Sequence, residues 1–427
     1  MTNHLDTKRK LESEFTGMQD YDPNALAVNV ARRFILEAID PVKEIEQVKI
    51  LRSLGRTVAK DVNSPVDVPP FDNSAMDGYA IKASNQMPEG KTELEIVGKA
   101  FAGKPFKGKM SDNQTVRIMT GAVIPDNADT VVMQERTRTV DRTLVMETKI
   151  PKGANTRKCG EDLKKGEVAL ASGKLIMPSD MGLLASLGVE SVNVRRRVKV
   201  AIFSTGDELI SIGQIPKPGQ IFDSNRYSLN GLLERLGCEI IDMGIIEDNK
   251  KSLNQALLKA GDQADLIITT GGVSVGDADY IKEVLDELGE VLFWKISMKP
   301  GRPLAFGKIK GSYFFGLPGN PVSVMVTFYQ LVRDAIKRLQ GEKSKQQTIT
   351  HKVKCRGTIR KVPGRTEFQR GVVFQQNGEL VVSTTGNQGS GILSSMSQAN
   401  CFIILQPQEQ TINDGEMVEV QFFDGIV

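Results

Sequence analysis

The segment VKVAIFSTGDEL, residues 198–209, decides the fold class of this chain. Residues 198–203 are apolar apart from Lys199, which indicates a buried strand, and Ser204-Thr205-Gly206 interrupts it. Asn320 and Pro321 are favoured residues for an N-cap and a first helical position, so they predict a long helix there. Between these points, strand patterns at 239–246, 266–269, 291–296 and 313–315 alternate with helix patterns at 224–236, 252–260 and 280–288. This alternation predicts a mostly parallel, doubly wound α/β domain over residues 198–345.

The sequence on either side of this domain has a different pattern. Upstream, apolar spacing predicts helices at 25–39, 48–54 and 179–187. Downstream, Asn377-Gly378 between two apolar runs is typical of a β-hairpin. We therefore predict a multidomain α/β plus β protein with four units: an N-terminal domain formed by 21–63 and 151–197, an inserted β-rich domain at 64–150, the α/β domain at 198–345 and a C-terminal β-barrel at 346–427. The run Arg195-Arg196-Arg197, just before the α/β domain, is interpreted as a solvated linker face.

Composition limits the function further. The net charge of +3 over 427 residues is too small to favour nucleic acid or an anionic membrane. The four cysteines are widely spaced and read as reduced thiols, and two histidines are too few for a cluster of His ligands. A metal here would be a hard cation held by carboxylates. With no apolar signal segment and no apolar run near the roughly 20 residues of a membrane span, we expect a cytoplasmic protein.

Three unusual loops follow strands of the α/β domain, where ligands bind in such sheets. They are residues 204–208, 271–279 and 316–323, and the second begins with Gly271-Gly272. Glycines let backbone N–H groups approach a ligand, and helix starts attract anions. Neither GxxxxGK[ST] nor GxGxxG is present, which disfavours a P-loop and a dinucleotide fold. The loops therefore predict a site for a phosphorylated, anionic small molecule.

Charged residues gather at the same loops. The carboxylates are those of Asp207, Glu208, Asp248, Asp277 and Asp279. Beside an anion they would repel it unless Mg²⁺ bridges them, although Asp207 or Asp277 could instead cap a helix. Lys295, Lys299 and Arg302 lie in a segment fixed by Pro300, Gly301 and Pro303, and would supply cations to the ligand; the alternative is that they are ordinary surface charges.

Six motifs together resemble the MoeA family, the molybdopterin molybdenumtransferases, over nearly the whole chain. They are PFDNSAMDGYA (70–80), RIMTGAVIPDNADTVVMQE (117–135), STGDEL (204–209), GGVSVGDADY (271–280), MKPGRP (298–303) and GLPGNPVS (316–323). The resemblance implies an elongated N-terminal domain, an inserted β-rich domain, a molybdopterin-binding α/β domain and a C-terminal β-barrel. It also implies a homodimer with an intersubunit active site.

The resemblance further implies a reaction and roles for residues. Adenylylated molybdopterin and molybdate would give molybdenum cofactor and AMP, with Mg²⁺ held by Asp248 and Asp279. Catalytic roles would fall to Asp77, Glu208, Asp248, Asp279, Lys295 and Lys299. Substrate-binding roles would fall to Thr120, Arg157, Asp162, Asp207, Gly271, Gly272, Ser274, Arg302, Pro303, Ser323, Arg370 and Ser390. Many relatives carry lysine where this chain has Arg302, and tungstate use stays open.

Two other functions remain to be weighed. Molybdopterin adenylyltransferases share the α/β domain and would be the natural source of the substrate, but they lack the block at 70–80. A receptor-clustering scaffold occurs among fused eukaryotic relatives, and this sequence shows no fused domain or long linker.

Overall fold

The computed structural model describes residues 25–87, 90–272, 280–343 and 349–423. Its central feature is a seven-stranded sheet in the α/β domain. In spatial order the strands are Ala25–Leu26, Gly289–Ile296, Pro303–Ile309, Ser312–Leu317, Leu266–Thr270, Lys199–Thr205 and Glu239–Ile246. Every neighbouring pair is parallel except the two pairs made by Pro303–Ile309. The carboxyl ends of six strands and the beginning of the seventh therefore meet at one edge.

Helices cover both faces of this sheet, so the predicted doubly wound fold is confirmed. They are Val28–Ala38, Asn225–Arg235, Lys250–Gln263, Tyr280–Leu288, Pro321–Thr327 and Arg333–Leu339, the last two joined by a π-helical segment at Phe328–Val332. The strand Lys199–Thr205 shows why the sequence folds this way. Val200 and Ile202 pack into the core on one face, whereas Ala201 and Phe203 pack into the core on the other. Strands buried on both faces have continuous apolar runs, as this one does.

The N-terminal and inserted regions are built from β structure and few helices. Residues 78–146 form a six-stranded sheet in the order Thr130–Met133, Gly78–Ile81, Gln114–Ile118, Thr92–Ala100, Thr143–Met146 and Arg138–Val140. Three two-stranded pairs bring 45–74 onto 156–195: Ile45–Lys49 with Ser191–Arg195, Val62–Asn63 with Val168–Leu170, and Asn73–Ser74 with Thr156–Arg157. The helix Pro178–Ser186 and short 3-10 turns at Ile50–Arg52, Ala83–Asn85 and Gln134–Arg136 complete these regions.

The C-terminal region is a closed barrel of five strands. They are His351–Cys355, Thr366–Gln376, Glu379–Thr384, Cys401–Leu405 and Met417–Phe422, with a helix at Leu393–Gln398. Pairing of Thr366–Gln376 with Cys401–Leu405 closes the barrel. The predicted hairpin is confirmed, because Asn377 and Gly378 both have positive φ and join the antiparallel strands Thr366–Gln376 and Glu379–Thr384. A short strand, Met298–Lys299, reaches from the α/β domain to pair with Thr366–Glu367.

The structure differs from the sequence predictions at three places. Residues 48–54 do not form a helix: Ile45–Lys49 is a strand held by Ser191–Arg195, and Leu51 and Leu54 are exposed, so no amphipathic face exists. The strand Pro303–Ile309 was not predicted, because the preceding prolines and glycine hid an antiparallel strand. Asn320 does occupy the N-cap position, but its side chain makes no capping hydrogen bond.

The arginine run 195–197 is not a solvated face either. Arg195 donates to the carbonyls of Val42 and Lys43, and Arg197 donates to the carbonyl of Gly237. Arg196 makes a two-pronged ion pair with Asp265, at 2.7 and 2.8 Å, which raises the pKa of the guanidinium. These contacts attach the N-terminal region to the α/β domain.

Candidate functional site

Polar side chains replace apolar ones where two central strands end. Ser204 is fully buried and its hydroxyl lies 2.9 Å from that of Thr270 on the neighbouring strand. The Ser204 hydroxyl also donates to the buried carboxylate of Asp223, 3.1 Å away. Arg226 in turn pairs with Asp223 at 3.1 Å and with Asp242. The buried carboxylate of Asp223 is therefore paired within a polar network beneath the strand ends, since an unpaired buried carboxylate would be strongly unfavourable.

The backbone itself comes close together at Gly271. Its N–H donates to the carbonyl of Leu317 at 3.2 Å, and its φ of 87° lies in the left-handed region. A Cβ atom at this position would overlap the carbonyl of Thr205. Only glycine fits between these two strand ends, so the loop that begins with Gly271 and Gly272 starts directly over the sheet edge. Ser274 and Asp279, two predicted site residues, lie outside the described residues, as does Asp277.

A group of carboxylates occupies one side of the edge. Asp207 and Glu208 are exposed in the turn that follows the strand Lys199–Thr205. Asp248 is half-buried and follows the strand Glu239–Ile246. Burial raises the pKa of Asp248, and the negative charge of Asp207 raises it further. Asp207 leads into the short strand Leu209–Ile210 rather than a helix, which excludes helix capping as its role.

The oxygen donors of these carboxylates suit a hard divalent cation. Oxygen ligands from carboxylates are what Mg²⁺ prefers, and a cation would relieve the repulsion that raises the pKa of Asp248. Among the described residues, however, no group of three or more His, Cys, Asp or Glu side chains is arranged to hold a metal ion. The described carboxylates are therefore chemically suited to share one cation. Further ligands, from other residues or from the substrate, are needed to complete its coordination.

Basic residues occupy the opposite side of the edge. Lys295 and Pro303 are register partners at the ends of adjacent antiparallel strands, and Arg302 precedes Pro303. The carbonyl of Arg302 accepts the N–H of Ile296 at 2.6 Å. Gly301 is buried against the helix Pro321–Thr327: an added Cβ would lie 2.6 Å from the Thr327 hydroxyl and 3.5 Å from the carbonyl of Ser323. Ser323, itself buried, therefore lies directly under this loop.

Lys299 links the loop to the barrel. Its ammonium lies 3.3 Å from a carboxylate oxygen of Glu367, and its side chain is about half exposed. The Lys299 backbone pairs with Glu367 in the short parallel ladder. The alternative of an ordinary surface lysine does not describe this residue, because its partner is a buried carboxylate.

Arg370 is a fully buried cation without a carboxylate partner among the described residues. Its Nε donates to the Ser395 hydroxyl at 2.9 Å, and Nη2 donates to the Gly389 carbonyl at 3.0 Å. Burial lowers the pKa of the guanidinium to about 10. Next to Gly389, Ser390 accepts the N–H of Val322, in the first turn of the helix at the sheet edge. The barrel therefore places an uncompensated positive charge directly behind the loop that contacts this edge.

The remaining predicted residues form a separate surface in the N-terminal regions. The carboxylate of Asp77 accepts both the backbone N–H and the hydroxyl of Thr120, each at 2.8 Å, and these bonds lower the pKa of Asp77. Arg157 pairs in register with Asn73, and the N–H of Asp162 donates to the carbonyl of Val68. All four residues, which are exposed, thus border the segment 68–77 and not the seven-stranded sheet.

Most of the predicted residues lie in two groups, one at the edge of the seven-stranded sheet and one beside the segment 68–77. The structure adds further residues to the first group. Asp223, Arg226 and Glu367 were not predicted. The polar ends of otherwise apolar strands, Ser204 and Thr270, were the signal that a buried polar network lies beneath them. Nothing in the sequence near Glu367 indicates its partner, which lies 68 residues away.

A doubly wound α/β domain, extended by a closed barrel and by β-rich N-terminal regions, defines a multidomain protein whose glycine-lined sheet edge is suited to an anionic ligand. Three family descriptions match the chain: the MoeA N-terminal region (domain I and II) over 26–188, a probable molybdopterin binding domain over 201–338 and the MoeA C-terminal region (domain IV) over 352–423. The chain belongs to the MoeA family.

Individual proteins similar to this chain support the same family assignment. A molybdopterin molybdenumtransferase of Haemophilus influenzae is 42% identical over 94% of this chain and 100% of its own length. One from a Nostoc species is 35% identical over 90% of each chain. The crystal structure of a molybdopterin biosynthesis MoeA protein from Pyrococcus horikoshii superposes with a TM-score of 0.82 at 29% identity, over 93% of this chain and 100% of the other. The predicted family and multidomain fold are confirmed. In the described part of the chain no helix is both long and apolar enough to cross a membrane.

Proposed function

We propose that this protein is a molybdopterin molybdenumtransferase: it converts adenylylated molybdopterin and molybdate into molybdenum cofactor and AMP, in a Mg²⁺-dependent reaction. The observation that best supports this function is Arg370, a buried cation whose hydrogen-bond acceptors among the described residues are all neutral. A tetrahedral dianion such as molybdate would provide the missing countercharge. The identity of the relatives supports the substrate class.

Molybdate would bind between the basic loop and the barrel. Lys299 and Arg302 would contact it from the loop, with Pro303 shaping the wall. Ser323 from the helix below, Ser390 and Arg370 from the barrel side, and Ser274 would complete the set. Charged hydrogen bonds of this kind are worth about 1.5–3 kcal/mol each when shielded from water.

The pterin and its phosphates would lie along the strand ends. The backbone N–H of Gly272 would donate to phosphate oxygens, as in other glycine-rich loops over a sheet edge. Gly271, whose own N–H is bonded to the Leu317 carbonyl, would let the backbone pass close to the ligand. Lys295 would bind phosphate charge, while Asp207 and Glu208 orient the pterin. The linkage between AMP and molybdopterin is cleaved as the dithiolene takes up the metal, so these residues would keep the two reacting ends in place.

Asp248 and Asp279 would hold Mg²⁺ against the phosphates. When bound, the ion would offset phosphate charge and make AMP a better leaving group. Its presence would also remove the repulsion among Asp248, Asp207 and Glu208 that raises the pKa of Asp248.

We further propose a homodimer with the active site between subunits and the domain partition given by the sequence. Asp77, Thr120, Arg157 and Asp162 are anchored on a surface of their own and would reach the sheet edge of the partner subunit. Exposed apolar side chains beside that edge, Ile212, Ile215 and Phe222, suit a covered surface. The cytoplasm would be the compartment, with a molybdopterin adenylyltransferase as the source of substrate.

A mixing experiment tests the shared site. Asp77→Ala and Asp248→Asn subunits, each inactive alone, are unfolded, mixed in equal amounts and refolded together. If the site is shared, about a quarter of wild-type activity returns, because half the dimers are mixed and each restores one site of two. No recovery, with mixed dimers shown by mass spectrometry, would mean that both residues act within one subunit.

The reaction is tested by incubating the purified protein with adenylylated molybdopterin and Mg²⁺, with and without molybdate. We expect molybdate-dependent AMP release that Asp248→Asn and Asp279→Ala abolish. Asp262→Asn is the matched control, since Asp262 is an exposed carboxylate of the same domain paired with Lys310. Absence of release in the wild type would reject the proposal, and synthesis of adenylylated molybdopterin from ATP would assign the preceding step instead.

A further inference from the structure

A buried carboxylate of the barrel lies directly behind the basic loop. Glu367 is only 4% exposed. One of its carboxylate oxygens accepts Lys299 Nζ at 3.3 Å, and the other accepts Gln369 Nε2 at 3.0 Å. Gln369 is itself fixed, because the same amide nitrogen donates to the carbonyl of Arg360 at 2.8 Å. Both oxygens of Glu367 therefore have defined partners and the carboxylate is held in one orientation.

The backbone attaches the loop to the same strand. Met298–Lys299 pairs in parallel with Thr366–Glu367, with Lys299 and Glu367 as register partners. Thr366 also donates its N–H to the carbonyl of Ser297 at 3.2 Å. Main-chain and side-chain contacts thus join Lys299 to one short stretch of the barrel, so the position of the ammonium depends on where the barrel strand lies.

A second lysine lies within the electrostatic influence of the Glu367 carboxylate. Lys361 is 6% exposed, and its ammonium donates to the carbonyls of Val362 and Arg365 at 2.9 and 2.7 Å. Burial lowers the pKa of Lys361, and the negative charge of Glu367 opposes that effect. The negative charge of Glu367 therefore acts on two ammonium groups, through a direct contact with half-exposed Lys299 and at longer range on buried Lys361, where Glu409 also contributes.

This arrangement is unfavourable for simple electrostatic attraction of an anion. A carboxylate 3.3 Å from Lys299 offsets much of its positive charge. A site built only to attract oxyanions would omit it. What the carboxylate does supply is a fixed direction for a flexible side chain with four rotatable bonds, whose ordering otherwise costs the entropy of its free rotamers.

We infer that Glu367 is a positioning residue: it orients Lys299 toward the oxyanion bound at the sheet edge and thereby couples the C-terminal barrel to the reaction. The inference rests on the proposed function of Lys299 in binding molybdate. Glu367 itself touches neither substrate. Removing it should impair the reacting geometry more than the attraction of the anion.

The kinetic test compares Glu367→Gln, Glu367→Asp and a control, Glu379→Gln. The control removes an exposed carboxylate paired with Lys354 at 2.6 Å on the same barrel. We expect Glu367→Gln to lower kcat by about 10- to 100-fold, the value of one hydrogen bond to a charged group. KM for molybdate should change far less, because the lost negative charge favours the anion while the lost orientation opposes it. Glu367→Asp should retain more activity than Glu367→Gln, and the control should match the wild type.

Amine labelling tests the geometry independently of catalysis. The full-length protein is treated with a trace of acetic anhydride, and acetylation of Lys299 is followed by mass spectrometry. Glu367→Gln should increase the labelling rate of Lys299 relative to that of Lys352, an exposed lysine of the same barrel, and Glu379→Gln should not. If the wild type lacks molybdate-dependent AMP release, the proposed function fails while the labelling still decides whether Glu367 holds Lys299.

Two results would overturn the inference. One is unchanged Lys299 labelling in Glu367→Gln. The other is a wild-type kcat in a folded Glu367→Gln protein. If Glu367→Gln does not fold, Glu367→Asp decides: a several-fold loss of kcat together with faster Lys299 labelling supports the positioning role, and wild-type values for both reject it.

Discussion

Replacement of Arg370 by methionine tests whether this buried guanidinium is an anion-binding group or a structural one. Burial lowers the pKa of Arg370 to about 10, well below the ordinary value of a guanidinium, which corresponds to about 3 kcal/mol by which burial disfavours the charged form. Because the folded-state pKa lies below the unfolded one, this cost is fully present below pH 10 and fades only as the pH rises above about 10 toward the ordinary pKa of arginine. At neutral pH the folded protein carries all of it.

The hydrogen bonds of Arg370 act in the opposite direction. Those to the Ser395 hydroxyl and the Gly389 carbonyl, at 2.9 and 3.0 Å, have good lengths, and the one to the Asn387 carbonyl at 3.4 Å is weak. Two good bonds from a charged donor contribute about 3–6 kcal/mol together. Arg370→Met should therefore cost only about 0–3 kcal/mol, far less than removing one partner of a buried ion pair usually does.

The assay is urea unfolding of the barrel with and without molybdate. Wild-type protein should be stabilised by about 2.7 kcal/mol when molybdate is present at 100 times its Kd, and Arg370→Met should lose this effect. Arg356→Met, which removes an exposed arginine of the same barrel, is the control and should respond as the wild type does. The reasoning is refuted if molybdate stabilises Arg370→Met normally. It is equally refuted if the variant loses more than about 5 kcal/mol without molybdate, since Arg370 would then be structural.

Three further predictions concern other parts of the molecule. Gly301→Ala should lower stability by about 1–3 kcal/mol more than Gly311→Ala in thermal unfolding. The two glycines have similar φ angles of 96° and 90°, but only at Gly301 would the added Cβ lie 2.6 Å from a side-chain atom. Equal losses would show that the loop at Gly301 moves to accept the methyl group. Thr120→Val should raise the pKa of Asp77 in a carboxyl NMR titration, because the carboxylate loses its hydroxyl donor. In the wild type the Asp77–Thr120 contact stabilises the fold above the ordinary Asp pKa and is lost as pH falls through the lowered value; an unchanged pKa would contradict the bond. At pH 8 iodoacetamide should alkylate exposed Cys159 and spare buried Cys401, whose thiol pKa burial raises to about 12, until urea unfolds the barrel; early labelling of Cys401 would show that the barrel opens.

The α/β domain was accessible from sequence because its signals are local. A strand such as Lys199–Thr205 is buried on both faces, so it has to be apolar throughout, and glycine has to stand where Gly271 passes close to a carbonyl. The strand Glu239–Ile246 and the helix Tyr280–Leu288 begin and end at the predicted residues for the same reason. Four of the six motifs that carry the family resemblance, those beginning at residues 204, 271, 298 and 316, mark this edge as well.

The predictions failed for segments whose structure depends on a partner that is distant in sequence. Residues 45–49 form a strand because Ser191–Arg195 lies beside them, and Arg196 is immobilised by Asp265, 69 residues away. Isolated propensity cannot report such pairings, because the stabilising contacts belong to another part of the chain.

The sequence by itself therefore determined the fold class, the family and the residue types of the site. Only the tertiary structure decided which charges are compensated: Asp223 by Arg226, Lys299 by Glu367, and Arg370 by no carboxylate in the described part of the chain. The physical reason is that hydrophobic periodicity is a local property of the sequence. The free energy of a buried charge depends instead on neighbours that are distant in sequence and are brought close by folding.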